Sequence, residues 1–171
     1  MIESIDQGGS MNLRMAAFAL LTLVSTSLFA DLPLNGVWVG SGIKEFQNIE
    51  TGDVYAVSCQ LNLVVVHDEN NLGFPVMENN CADGTTDIGH YNQLLTVKNG
   101  QLWFGNQSVG WINETGFRFS LPMGEGETLS LFEINATIEN GKMNLMYGLT
   151  PVPSSNPNRF KQTGEYSLER N

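Results

Sequence analysis

The sequence predicts an all-β protein, an antiparallel up-and-down β-barrel of about eight to ten strands. Three observations lead there. Apolar and polar residues alternate at a spacing of two, Asn-Gly pairs separate alternating segments, and no stretch after Ala30 keeps the 3.6-residue rhythm of an amphipathic helix.

The first strand opens at Asn35-Gly36-Val37-Trp38, shortly after Pro33. Between residues 55 and 65 every second residue is apolar (Tyr55, Val57, Cys59, Leu61, Leu63, Val65), while Ser58, Gln60 and Asn62 lie between them. Such a strand buries one face and wets the other. Asn99-Gly100 stands between segments 94–97 and 102–104, and Asn140-Gly141 between 129–138 and 143–149. Asn-Gly tolerates the positive φ angles of a type I′ turn, whose twist matches the flanking strands, so both read as tight antiparallel hairpins. Phe117, Phe119 and Leu121 alternate with Arg118 and Ser120, and Met143, Leu145, Tyr147 and Leu149 repeat the pattern. Phe160, Gln162, Gly164, Tyr166 and Leu168 form one phase of the last strand. Further breaks fall at 69–73, 82–89, 113–116 and 122–127, and the Pro-rich piece 151–157 reads as a long loop at one end. With no helical crossover, sequential strands are expected as neighbours; such a meander can close into a barrel or split into a sandwich, and closure, which removes exposed edges, is the expectation.

Composition bounds the rest. The 171 residues hold 18 acidic and 8 basic side chains, and 42% are hydrophobic, too many for a disordered chain. The formal charge of −10 repels phosphate backbones and no basic cluster overrides it, so nucleic acid is set aside as a partner.

Residues 15–30 carry no charge and follow Arg14, the order of a secretory signal peptide with cleavage expected after Ala30. The apolar run falls short of the ~20 residues that span a bilayer, so no stable membrane insertion is expected. Glu3 and Asp6 are the wrong charge ahead of such a core, which places the start of translation at Met11. Residues 1–30 thus read as a leader and 31–171 as one barrel domain, periplasmic or secreted. Its 16 acidic and 7 basic side chains leave a net charge of −9. In an oxidising compartment its two cysteines point to one disulfide, Cys59–Cys81. A turn near Asn70 and Asn71 lies almost midway between them, as an antiparallel pair requires.

The ends of the mature chain, Gly36-Val37-Trp38 and Gly164-Glu165-Tyr166-Ser167-Leu168-Glu169-Arg170, resemble the lipocalin and wider calycin pattern. The resemblance implies a barrel whose first strand carries a tryptophan plugging the closed end, Trp38, with a basic side chain lying across it, Arg170. A guanidinium over an indole face gains about 1 kcal/mol.

Chemistry-bearing residues are sparse. His67, with Asp68 and Glu69, and His90, after Asp83 and Asp87, could hold a metal or haem if their loops met, but their spacing does not demand it. Residues 83–87 lack the ligand alternation of an EF-hand and read as a turn. The segment 105–110 is one residue too long for a nucleophile elbow. No enzyme, cofactor or metal is expected.

Bulky apolar residues stand out instead: Phe74, Met77, Trp103, Phe104, Trp111, Phe117, Phe119, Phe132, Met143, Met146, Tyr147 and Phe160. A barrel of about eight strands can fill its interior with such side chains or hold one small ligand. The functional expectation is an exported binding module with a small, mostly apolar ligand against Trp103, Trp111, Phe117, Phe119, Met143 and Tyr147. The alternatives are a structural or protein-interaction module of the cell envelope with a filled barrel and, third, a metal or haem carrier.

Overall fold

Period-two alternation becomes ten antiparallel strands in the computed structural model, which describes residues 34–152 and 160–171. They are β1 (Gly36–Asn48), β2 (Val54–His67), β3 (Asn71–Cys81), β4 (Thr86–Lys98), β5 (Gln101–Phe104), β6 (Gln107–Asn113), β7 (Gly116–Met123), β8 (Ser130–Glu139), β9 (Lys142–Pro151) and β10 (Phe160–Arg170). Each strand pairs with its sequence neighbours, and β10 returns to β1, closing the barrel. The closing ladder runs from Trp38 opposite Arg170 to Asn48 opposite Phe160. Closure leaves no free first or last strand.

The turns carry the chemistry that the strands need. Asn99 and Gly100 have φ of 52° and 74°, and Asn140 and Gly141 have 53° and 77°, which are the left-handed pairs of type I′ hairpins. In the turn between β2 and β3, Asp68 accepts the backbone N–H of Asn70 at 2.8 Å. The Asp68 carboxyl is held below the usual carboxylate range, first by that bond and then by the side chain of Asn71. Three expected breaks are shorter than the sequence suggested: Asn71 already belongs to β3, residues 86–89 to β4, and Pro122 to β7. Two turns carried no strong signal, the one at 49–53 and the one at Gly105, where φ is +58°. A short 3₁₀ turn, Gly126–Thr128, joins β7 to β8. The leader and residues 153–159, most of the Pro-rich loop, lie outside the described residues. Among the described residues no helix is long and apolar enough to cross a membrane.

The two ends of the barrel differ. At the first, which we call the floor, Leu34, Trp38, Leu63, Leu72, Leu102, Phe117, Met143 and Leu168 are almost wholly buried. The indole N–H of Trp38 donates to the carbonyl of Leu34 at 2.8 Å, so this large ring is buried with its polar atom satisfied. The Asn35 side chain donates to the carbonyl of His67 and accepts its N–H, extending the β1–β2 ladder by one step. Arg170 stands directly opposite Trp38 in the closing ladder, with its guanidinium Nε beside Gly36.

At the other end, the mouth, Cys59 and Cys81 face one another across β2 and β3 and form a disulfide, with Cα atoms 4.0 Å apart. That is shorter than the ~4.4 to 6.8 Å expected of bridged pairs, and the two residues are directly opposed in the ladder. β5 is so short that its ladder with β4 covers only Thr96 to Lys98. Above this point the mouth half of β4 is joined to the opposite wall by side chains, with Tyr91 stacked on Phe132 of β8 at 5.1 Å.

Candidate functional site

Along β1 the inward phase reads Gly40, Gly42, Lys44, Phe46, so an ammonium stands where alternation calls for an apolar residue. Asn79 occupies the equivalent position on β3, between Met77 and Cys81. These substitutions leave the mouth half of the barrel incompletely filled. A cavity of about 260 Å³ remains there, lined by Lys44, Met77, Asn79, Asp87, Ile88, Gly89, Tyr91, Phe132, Tyr147, Leu149 and Gln162.

Strand register explains the grouping. Asn79 is opposite Asp87, and Met77 is opposite Gly89. Lys44 is opposite Gly164, which in turn is opposite Tyr147. Gly164 carries no side chain to separate them, and a Cβ there would come within 2.4 Å of Tyr147 and 2.6 Å of Tyr166. Gly42 and Gly89 similarly lie under the rings of Tyr166 and Tyr91. Tyrosine rings thus lie flat over glycines of the wall, and Tyr147 stacks on Tyr166 with centroids 5.9 Å apart and planes 10° from parallel.

The electrostatics are uneven. The Lys44 side chain is 2% exposed and pairs with the Asp87 carboxylate, which is 56% exposed. The Lys44 ammonium also lies 4.7 Å from the centre of the Phe46 ring. Around this pair the buried Asn79 Oδ1 has no hydrogen-bond partner, and the buried hydroxyls of Tyr147 and Tyr166 have none beyond each other. Burial, followed by the nearby Tyr166, pushes the Tyr147 hydroxyl far above the ordinary phenol range. Burial also raises Tyr166, partly offset by a hydrogen bond with Tyr147, and raises Tyr91, with the Asp87 carboxylate adding to both. All three rings therefore remain neutral and able to donate a proton to a hydrogen bond at any working pH.

Of the six residues expected to hold a ligand, Tyr147 alone lines the cavity. Phe117, Phe119 and Met143 point inward but are packed core: Phe74 packs at a tilt against both phenylalanines at 5.3 and 5.4 Å, and Met143 is fully buried at the floor. Trp103 and Trp111 are on the outer face, which corrects the expectation for both. Leu102 and Ile112 take the inward positions of β5 and β6, so period-two parity turns their neighbours outward. Trp111 is 38% exposed, and Trp103 lies under the Lys98 ammonium at 5.7 Å. Phe104, Met146 and Phe160 are exposed too.

The residues missed as site candidates are Lys44, Asn79, Tyr91 and Gln162. The available signal was a polar residue on the apolar phase of a strand, clear for Lys44 and Asn79. Asp87 was assigned to a turn, but β4 begins at Thr86 and carries it into the barrel. Asp83 does remain in the turn, accepting from Thr85 N and Oγ1 at 3.0 and 2.7 Å.

The two histidines are not brought together. His67 ends β2 at the floor, opposite Leu72 and hence near Leu95 of β4, whereas exposed His90 lies five residues further along β4, about 16 Å at strand rise. Among the described residues no group of three or more His, Cys, Asp or Glu side chains could hold a metal ion.

Neither a protein-family model nor any curated protein matches this sequence. The class that fold and site define is therefore a structural one, a closed ten-stranded antiparallel barrel with a polar-anchored cavity at one end.

Proposed function

We propose that the protein is an exported, non-catalytic, lipocalin-like binding module that holds a small, mostly apolar ligand inside its barrel. One observation carries this reading: the cavity at the mouth, walled by Met77, Phe132, Leu149 and tyrosine rings while the floor is packed solid behind Trp38. Small-molecule sites usually combine apolar walls with a few converging polar groups, and here Lys44, Asn79, Asp87 and Gln162 share the lining with the apolar side chains. Its volume of about 260 Å³ falls just under the ~300–1,000 Å³ common for drug-sized ligands, which favours a smaller molecule. The Cys59–Cys81 bridge suits an oxidising compartment, in keeping with export. Gly36-x-Trp38, with Arg170 opposite the tryptophan, supports the lipocalin-like assignment.

The test is a titration of the purified oxidised protein with Nile red, a neutral environment-sensitive dye. Saturable one-to-one binding is expected, and Leu149→Trp, which fills the cavity, should remove it. Absence of saturable binding in the folded protein would refute the reading. None of the three tryptophans lines the cavity, so dye emission rather than tryptophan emission is the appropriate signal.

A second reading, an interaction module of the cell envelope, draws on the exposed Phe104 and Trp111 and on the short β5. It predicts retention on isolated envelopes that Trp111→Ser reduces and cavity filling leaves unchanged.

A further inference from the structure

We infer that the cavity takes a small monocarboxylate with an apolar body, its carboxylate seated on Lys44 in the place that Asp87 fills in the empty barrel. The inference rests on the binding-module reading and specifies its ligand.

A buried ammonium is tolerated only with a compensating charge and hydrogen bonds. Lys44 has one such charge, and Asp87 is the only carboxylate among the residues lining the cavity. The pair is asymmetric. Lys44 rises from β1 into the barrel with its side chain almost wholly shielded from solvent, whereas more than half of the Asp87 side chain is already solvated. Asp87 is also not a neighbour in the sheet: β2 and β3 separate its strand from that of Lys44, so the pair crosses the mouth. Releasing Asp87 returns a carboxylate to water at little desolvation cost, while releasing Lys44 would strand a cation in the interior. An entering carboxylate can therefore replace Asp87 without changing the charge count of the site.

The surrounding atoms fit that exchange. A carboxylate has about four acceptor positions. Beyond Lys44, the Tyr147 hydroxyl at the cavity wall is a buried donor whose one neighbouring partner is the Tyr166 hydroxyl, and burial keeps it protonated. An under-satisfied buried donor is costly, so a ligand that engages it binds more tightly than one meeting apolar walls alone. Asn79 Oδ1, 4% exposed as a residue and unpartnered, is an acceptor on the opposite wall, suited to a hydroxyl or N–H on the ligand body. Met77, Phe132 and Leu149 supply the apolar remainder. A primary amine fits poorly despite Asp87, because it would have to share the cavity with the buried Lys44 cation.

The test compares three ligands of equal chain length, octanoate, octanol and octylamine, titrated calorimetrically into the purified oxidised protein at neutral pH. Octanoate should bind one-to-one and at least tenfold more tightly than octanol, with octylamine weaker still. Lys44→Met should bring octanoate and octanol to within about twofold of each other. That substitution exchanges a buried ion for an apolar side chain of similar length, a change buried pairs often tolerate. Asp87→Asn keeps the lysine and removes its internal competitor, so it should tighten octanoate severalfold.

Octylamine binding as tightly as octanoate would overturn the inference, as would Lys44→Met leaving the octanoate preference intact, or Asp87→Asn weakening octanoate. If Nile red and octanol bind but octanoate has no advantage, only the carboxylate assignment falls. If none of the four probes binds, the binding-module reading falls with it.

Discussion

Removing the disulfide tests how the mouth is held. Cys59 and Cys81 are 22 residues apart in sequence and close a hairpin far from its turn. In the chain-entropy model, closing a ring of that length in the unfolded state is worth about 3 kcal/mol. Cys59→Ala with Cys81→Ala removes the link while deleting only two sulfur atoms from the packing. Equilibrium urea unfolding should show a loss of about 3 kcal/mol, which for a urea dependence of ~1–3 kcal/mol/M moves the midpoint by about 1–3 M. The urea dependence should itself rise, since an uncrosslinked unfolded chain exposes more surface. The oxidised wild type after reduction should match the double variant within error, separating the crosslink from the packing. Cys59→Ser alone should cost roughly 2–5 kcal/mol, since it strands a hydroxyl at a buried position. A double variant within about 1 kcal/mol of the oxidised protein, with unchanged urea dependence, would refute the crosslink argument and show that the ladder suffices.

Other perturbations separate floor, wall and turn. Trp38→Ala should lower unfolding free energy by about 3–5 kcal/mol, as expected for a large ring lost from a closed core, whereas exposed Arg170→Ala should cost under about 1 kcal/mol; thermal melts of both check the contrast. Gly164→Ala puts a Cβ against two tyrosine rings and should destabilise by about 1–3 kcal/mol with a changed near-ultraviolet dichroism, while Gly148→Ala, whose Cβ would meet nothing closer than 3.8 Å, should be nearly neutral. The Asp83 carboxyl is held below its ordinary range chiefly by the Thr85 hydroxyl and then by the Thr85 N–H. A depressed folded-state value means the turn's contribution is complete above the unfolded carboxylate range, near pH 4, and is lost as pH falls through the folded value. Thr85→Val should raise the Asp83 midpoint toward the ordinary value, read by carboxyl NMR titration.

The strand plan was legible because alternation and turn chemistry are local properties. Residues 55–65 had to bury one face wherever they packed, and Asn140-Gly141 had to turn the chain between β8 and β9 whatever surrounded it. Even the cysteine pairing followed from symmetry about the turn after His67. Local signals failed where they were short. β5 offers four residues, too few to show which of Leu102 and Trp103 faces inward, and the larger ring was the misleading guide.

The site was barely legible, for a different reason. Lys44, Asn79, Asp87 and Tyr147 come from β1, β3, β4 and β9, and nothing in any one of those segments names the others. By itself the sequence determined which residues form strands and where most of them turn, and it favoured closure into a barrel over a split into a sandwich. The tertiary structure alone decided which end stays unfilled. Trp38, Leu34 and the aliphatic phases of several strands meet at the floor and exclude space there, whereas glycines and polar side chains coincide at the mouth. Whether a barrel interior is filled depends on the summed volume of side chains from many strands at one level, and only the register of the closed sheet sets that sum.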